Sequence, residues 1–65
     1  MKYICPDCNA VNDNLDWDET TINNNCYNRK QRRAFIPITS STGNNWYECP
    51  NCGGRNYKYK IKVVK

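Results

Sequence analysis

Sixty-five residues, of which 38% are hydrophobic, with a formal net charge of +4, make one small domain, residues 1–65, whose interior is too slight to hold it without a staple. No apolar stretch approaches the roughly 20 residues of a membrane span, and no apolar run follows Met1, Lys2 and Tyr3, so a cytoplasmic monomer away from membranes is expected. Five cysteines, an odd number, leave one over from any disulfide set and turn the reading toward a metal.

In chain order, residues 1–10, MKYICPDCNA, predict a short strand running into a tight turn, with Pro6 presetting one backbone angle. Residues 11–25, VNDNLDWDETTINNN, mix acidic residues with Asn and hold no sustained apolar period; beyond one helical turn near residues 15–19 they predict a polar loop. Residues 26–33, CYNRKQRR, fit a turn of helix and an extended basic arm equally well. Residues 34–39, AFIPIT, are β-rich, and Pro37 places them at a sheet edge or bulge because proline lacks the ladder N–H. The turn cluster SSTGNN and the strand WYE follow, so residues 34–48 predict a hairpin closed around Gly43. Last, NYKYKIKVV alternates, which predicts a strand with Tyr57, Tyr59, Ile61 and Val63 on one face, the two tyrosines in the core, and Lys58, Lys60 and Lys62 on the other.

The cysteines form the pattern Cys5-x2-Cys8-x40-Cys49-x2-Cys52. Two residues between ligands let one tight turn aim both sulfurs at a point, and two such turns supply a tetrahedral four-sulfur site. The long spacer does not defeat it, since loop closure costs only about 0.6 kcal/mol per doubling of length. Gly53 and Gly54 supply permissive backbone after the second turn, and Asn9 takes that part after the first, Asn tolerating the left-handed region better than most residues. Four thiolates leave no open position for water or substrate, so the expected metal, Zn2+, is structural, and a regulatory or recognition role is expected over catalysis. The absence of histidine and of any readable nucleophile–base pair points the same way, to a protein that is not an enzyme.

YICPDC paired with WYECPNCGGRNYKY resembles the zinc ribbon, the rubredoxin-like family in which two cysteine knuckles clamp a metal beside a small antiparallel sheet. The resemblance covers residues 1–10 and 34–64 and implies a small metal-bound β fold: a zinc ribbon with a three-stranded antiparallel sheet and a polar inserted loop. The ribbon of the eukaryotic transcription elongation factor that stimulates RNA cleavage is similar around its second knuckle. Its Asp-Glu pair at the hairpin tip is replaced here by SSTGNN, without a carboxylate, so that activity is not implied. Rubredoxin proper is also similar at both half-sites and would place iron in the same sulfurs for electron transfer. Asn9-Ala10 after the first knuckle, the longer spacer and the basic charge depart from it and favour zinc over iron.

Charge is segregated. Residues 1–25 hold Lys2 against five acidic residues, a balance of −4, and residues 26–65 hold nine Lys and Arg against Glu48, a balance of +8. An anionic partner follows as the first expectation: a nucleic acid, in transcription or RNA handling, with Arg29, Lys30, Arg32, Arg33, Lys58, Lys60 and Lys62 on phosphates. Trp46 and Tyr47 fall on opposite faces of one strand, so one of them is left to stack on an unpaired base or to cover the metal site. The other expectation is a protein-interaction module docking on a polymerase-like surface through the acidic segment 13–19, with Trp17 as anchor or else as a plug over the core. Cys26, without a Cys-x-x-Cys partner, reads as a small buried residue or a spare thiol.

Overall fold

The computed structural model describes residues 1–64. Strands β1 (Lys2–Ile4) and β2 (Val11–Asp13) are the arms of a hairpin whose tip is the first Cys-x-x-Cys step, with Tyr3 opposite Asn12. Strands β3 (Trp46–Glu48) and β4 (Arg55–Tyr57) are the arms of a second hairpin around the second step, with Tyr47 opposite Asn56. Strand β5 (Lys62–Val64) pairs antiparallel with the free edge of β1, which makes a three-stranded sheet ordered β2-β1-β5 beside the two-stranded β3-β4. A three-stranded antiparallel sheet is therefore present: β1 and β5 fall in segments the sequence reads as strand, and β2 in one it reads as loop.

The expected hairpin over residues 34–48 does not form. Residues Ile38–Ser40 make a single 3-10 turn, closed by Ser40 N–H donating to Pro37 O at 2.8 Å, and Ile38 is fully buried. Strand β3 instead finds its partner across the second knuckle. The alternation of NYKYKIKVV is overridden as well, because the chain has to leave one sheet and join the other. A 3-10 turn at Lys58–Lys60 makes the crossing: Lys58 N–H donates to Asn45 O at 2.8 Å and Ile61 N–H to Lys58 O at 3.1 Å. Ile61 enters the core, whereas Tyr57 and Tyr59 stay outside and stack on each other, ring centroids 5.9 Å apart and planes 13° from parallel. No lysine row results. Lys58 lies over the ring of Tyr3 and Lys60 over that of Tyr59.

The larger correction concerns residues 11–33, which are helical in most of their length. Helix α1 (Asn14–Asn25) packs on β2, on β3 and on the 3-10 turn at Ile38–Ser40, so it bridges the two sheets. Its inward face is Trp17, Asp18 and Thr21, with Asn24 at the edge of that face reaching Glu48, spaced as a helix requires but mostly polar. Hydrogen bonds hold that face where apolar contacts would ordinarily do so. Ile38 N–H donates to Asp18 Oδ1 at 2.9 Å, Glu48 N–H donates to Thr21 Oγ1 at 2.9 Å, and Asn24 Nδ2 donates to Glu48 Oε2. Burial holds the Asp18 carboxyl above its ordinary pKa, against the pull of the Ile38 N–H. Glu48 moves the other way, drawn down chiefly by the Asn24 carboxamide and helped by Arg55. Helix α2 (Arg29–Ala34) starts at Asn28, whose side chain accepts Gln31 N–H at 2.8 Å, the ordinary function of Asn at a helix N-cap.

The core is Tyr3, Cys5, Trp17, Ile38, Tyr47, Cys49 and Ile61, with Phe35 packed edge-on against Tyr47. Trp17 is the plug and not a partner anchor: it is fully buried, and its Nε1 donates to Tyr3 O at 3.4 Å. Thr21 shows how little apolar mass the joint between helix and hairpin contains. Its hydroxyl donates to Trp17 O at 2.8 Å and accepts from Glu48 N–H. Thr21→Val keeps the shape and leaves a buried N–H without an acceptor, so unfolding in denaturant is expected to show a loss of about 1–3 kcal/mol. An unchanged midpoint would mean that the helix is held by other contacts.

Candidate metal centre

The two knuckles are built alike. In the first, Cys5 N–H donates to Ala10 O at 3.0 Å and Asn9 N–H to Cys5 O at 2.9 Å; in the second, Cys49 N–H donates to Gly54 O at 2.9 Å and Gly53 N–H to Cys49 O at 3.0 Å. Each turn needs a left-handed residue one position after its second cysteine. Asn9 supplies it with φ 63° and Gly53 with φ 73°. This is the role the sequence suggests for Asn9, and it accounts for an Asn where the other knuckle has a Gly.

The four sulfurs of Cys5, Cys8, Cys49 and Cys52 lie within 4.8 Å of one another, and they could hold a metal ion. The Cys5–Cys52 and Cys8–Cys49 separations are both 3.7 Å. A tetrahedron with metal–sulfur bonds of about 2.3 Å has edges of about 3.8 Å, so the spacing suits one ion and is far too long for disulfides. Cys5 and Cys49 face the core and are buried, while Cys8 and Cys52 form the exposed side of the cluster. Backbone N–H groups already point at the sulfurs: those of Asp7, Asn51 and Gly54 lie 3.4 Å from Sγ of Cys5, Cys49 and Cys52 respectively. Such donors favour the thiolate, the form a metal takes.

The protons reflect this crowding. Burial pushes the Cys5 thiol up to about 12, against the backbone N–H groups of Cys8 and Asp7, which pull it down. Burial also pushes Cys49 upward, but the N–H groups of Cys52 and Asn51, with Cys5 and Cys8 as neighbours, outweigh it and leave this thiol below its ordinary value. Without a cation, then, the cluster keeps protons on some sulfurs. A divalent ion held by all four as thiolates would displace those protons.

A contact that the sequence does not announce joins the knuckles. Asp7, from the first, accepts a 2.8 Å hydrogen bond from Asn56 Nδ2 on β4, and its carboxylate lies over Gly54. A Cβ at position 54 would meet Asp7 Oδ2 at 2.5 Å and Cys52 Sγ at 3.2 Å. Gly54→Ala is accordingly expected to weaken metal binding by about 10- to 100-fold in competition with a chromogenic chelator. Adding Asp7→Gly should return part of that loss, because the closer of the two obstacles is removed. If the single variant binds as the native chain does, the knuckles are not held this tightly.

Other residues singled out by sequence are scattered. Arg29, Lys30, Arg32 and Arg33 are exposed on α2, so the basic segment is a helix and not an extended arm. Lys60 and Lys62 line a cleft of about 330 Å3 beside the first knuckle, and Lys58 is drawn away onto Tyr3. Trp46 and Tyr47 do lie on opposite faces, and the structure decides between them. Tyr47 is 1% exposed and its hydroxyl donates to Ile36 O at 2.5 Å, so it is core and has no surface for a base. Trp46 is 37% exposed. Arg55, not singled out by sequence, lays its guanidinium on the Trp46 ring at 5.1 Å while its Nε pairs with Glu48 Oε1 at 3.3 Å. Arg55 stands opposite Glu48, two residues along from the Trp46–Tyr57 pair and so on the same face, a pairing that the expected hairpin over residues 34–48 conceals. Cys26 is half-buried and stands apart from the sulfur cluster. No known protein family, curated protein or solved structure matches the chain.

Proposed function

We propose that this chain is a single-stranded nucleic-acid-binding module, in transcription or RNA handling, whose fold is clamped by one structural Zn2+ on Cys5, Cys8, Cys49 and Cys52. The ion would bind with its four positions filled by sulfur, which leaves the chemistry to the partner and recognition to this protein. The observation that carries the reading is the outer face of the β3-β4 hairpin. Trp46 and Tyr57 are directly opposed cross-strand partners, both rings are exposed, Tyr59 stacks on Tyr57, and Arg55 lies on Trp46. Three aromatic rings with a guanidinium among them form a platform on which bases stack without regard to sequence. Lys60, over the Tyr59 ring, adds a cation at one end of the platform, and the exposed cations of α2 add charge elsewhere on the surface for the sugar–phosphate chain.

The acidic segment 13–19 supports a protein contact less well, because Trp17, its one aromatic, is in the core, and Leu15 is the single large apolar side chain left outside, beside Asp16 and Glu19. Anisotropy of a labelled short oligothymidine tests the proposal. Binding at low salt should weaken with a log–log slope of about −3 if about four phosphates are neutralised. Trp46→Ala should weaken it by about tenfold at unchanged metal content. No binding at low salt eliminates the nucleic-acid reading. Elemental analysis tests the metal separately: one zinc per chain and a colourless protein are expected, and a red iron protein would move the chain to electron transfer.

A further inference from the structure

We propose that the groove between α2 and the loop preceding β3 is a pocket for one unstacked nucleobase, seated against Trp46 and read by carboxamides; the inference rests on the nucleic-acid reading above. The groove encloses about 440 Å3 and is lined by Asn25, Gln31, Asn44, Asn45 and Trp46, with Phe35 among the apolar residues that complete it. That volume falls in the range of sites that take small organic groups.

Its chemistry narrows the occupant. No charged side chain lines the groove, although the chain is basic and four cations stand on α2 immediately outside it. A phosphate would therefore be held on the rim, and the interior suits a neutral group. Three of the four carboxamides are each fixed at one end by the protein. Asn25 Nδ2 donates to Thr21 O at 3.0 Å, Gln31 Oε1 accepts Tyr27 N–H at 2.6 Å, and Asn45 Oδ1 accepts the Ser41 hydroxyl at 3.1 Å. The other ends are left for a ligand: an acceptor on Asn25, donors on Gln31 and Asn45, and both kinds on Asn44, which makes no side-chain hydrogen bond among the described residues. Donors and acceptors held at fixed positions around a flat apolar wall match the edge and face of a base. Trp46 supplies the wall, and it also borders the smaller neighbouring cavity that contains Arg55 and Tyr57. One ring thus separates the pocket from the stacking platform, so a strand crossing the platform can turn one base inward at Trp46.

The experiment compares a short oligothymidine with an abasic sugar–phosphate chain of the same length on the zinc-loaded protein. The native chain should prefer the oligothymidine by about tenfold or more. Ala34→Leu, which fills the groove from an exposed helical position outside core and knuckles, and Asn44→Ala, which removes the free carboxamide, should each lower that preference at least threefold, on the order of one hydrogen bond or stacking contact, while abasic-chain affinity and metal content stay unchanged. Two variants guard against the chance that one perturbs folding. If both discriminate as the native chain does, the pocket is overturned and the platform stands. Equal native affinity for the two polymers also overturns the pocket, leaving phosphate contacts alone. If the native chain binds neither polymer at low salt, the nucleic-acid reading falls and takes the pocket with it.

Discussion

A chelator strong enough to strip the metal is expected to unfold this chain at neutral pH. Among the described residues seven side chains make up the hydrophobic core, and two of them, Cys5 and Cys49, also belong to the four-sulfur cluster that could hold the ion. Apparent binding free energies of structural zinc are on the order of 10 kcal/mol, against roughly 3–10 kcal/mol of total stability for a chain of this length. Removing the ion therefore takes away as much as the fold contains. The topology says where the damage begins. The tips of the two hairpins meet at the sulfurs and at Asp7, which reaches Asn56 and Gly54, and the hairpins are joined further by α1, by the small shared core and by the crossing at Lys58–Lys60. Once the tips part, the β3-β4 hairpin keeps its polar joint to α1 and the packing of Tyr47 against Phe35 and the small core. Near-UV circular dichroism from Trp17 and the dispersion of amide resonances should both collapse on chelation and return with added zinc. Cys49→Ser should reproduce the loss more completely than Cys8→Ser, since a buried hydroxyl in place of a ligand lacks the solvent that position 8 enjoys. A stripped chain with native dichroism would show that the interior suffices without the ion.

Why part of this was legible and part was not follows from what each segment uses to hold itself. The knuckles are local: a Cys-x-x-Cys step fixes its own turn, and the left-handed demand falls on a residue, Asn9 or Gly53, that announces it. The facing of Trp46 away from Tyr47 was legible for the same reason, as it needs only a strand. Helix α1 was hidden because helical periodicity is ordinarily an apolar signal, and here the packed stripe is mostly polar: Asp18 and Thr21 are buried beside Trp17, and Asn24 reaches Glu48 from the edge. The period of about 3.6 was present in polar groups, each with a named partner on another element. The tail misled for the opposite reason. NYKYKIKVV has strand periodicity throughout, yet β1 has an open edge in the other sheet, and taking it requires a turn in the middle of the run. Pairing partners distant in sequence decided both cases, and local pattern holds no information about them.

Trp17→Ala is expected to be the most destabilising change outside the sulfur cluster, and its signature should differ from that of chelation. The indole is fully buried and is the largest side chain in the interior, seated between β1, to which its Nε1–H donates, and the 3-10 turn held through the neighbouring Asp18. Truncation empties that space and removes the indole N–H that the Tyr3 carbonyl accepts, and comparable changes lower stability by about 3–5 kcal/mol. The knuckles do not depend on this residue for their own turns, since their hydrogen bonds are internal to residues 5–10 and 49–54. The variant should thus bind one equivalent of metal with reduced apparent affinity, because folding and binding are linked, while its denaturation midpoint at saturating zinc drops by the full amount. Fluorescence separates the contributions: in Trp17→Phe, a gentler change, emission comes from Trp46 alone and should be that of a partly exposed indole. Measured in denaturant at saturating zinc, a Trp17→Ala protein as stable as the native chain would mean that the metal alone, and not the helix, positions the two sheets.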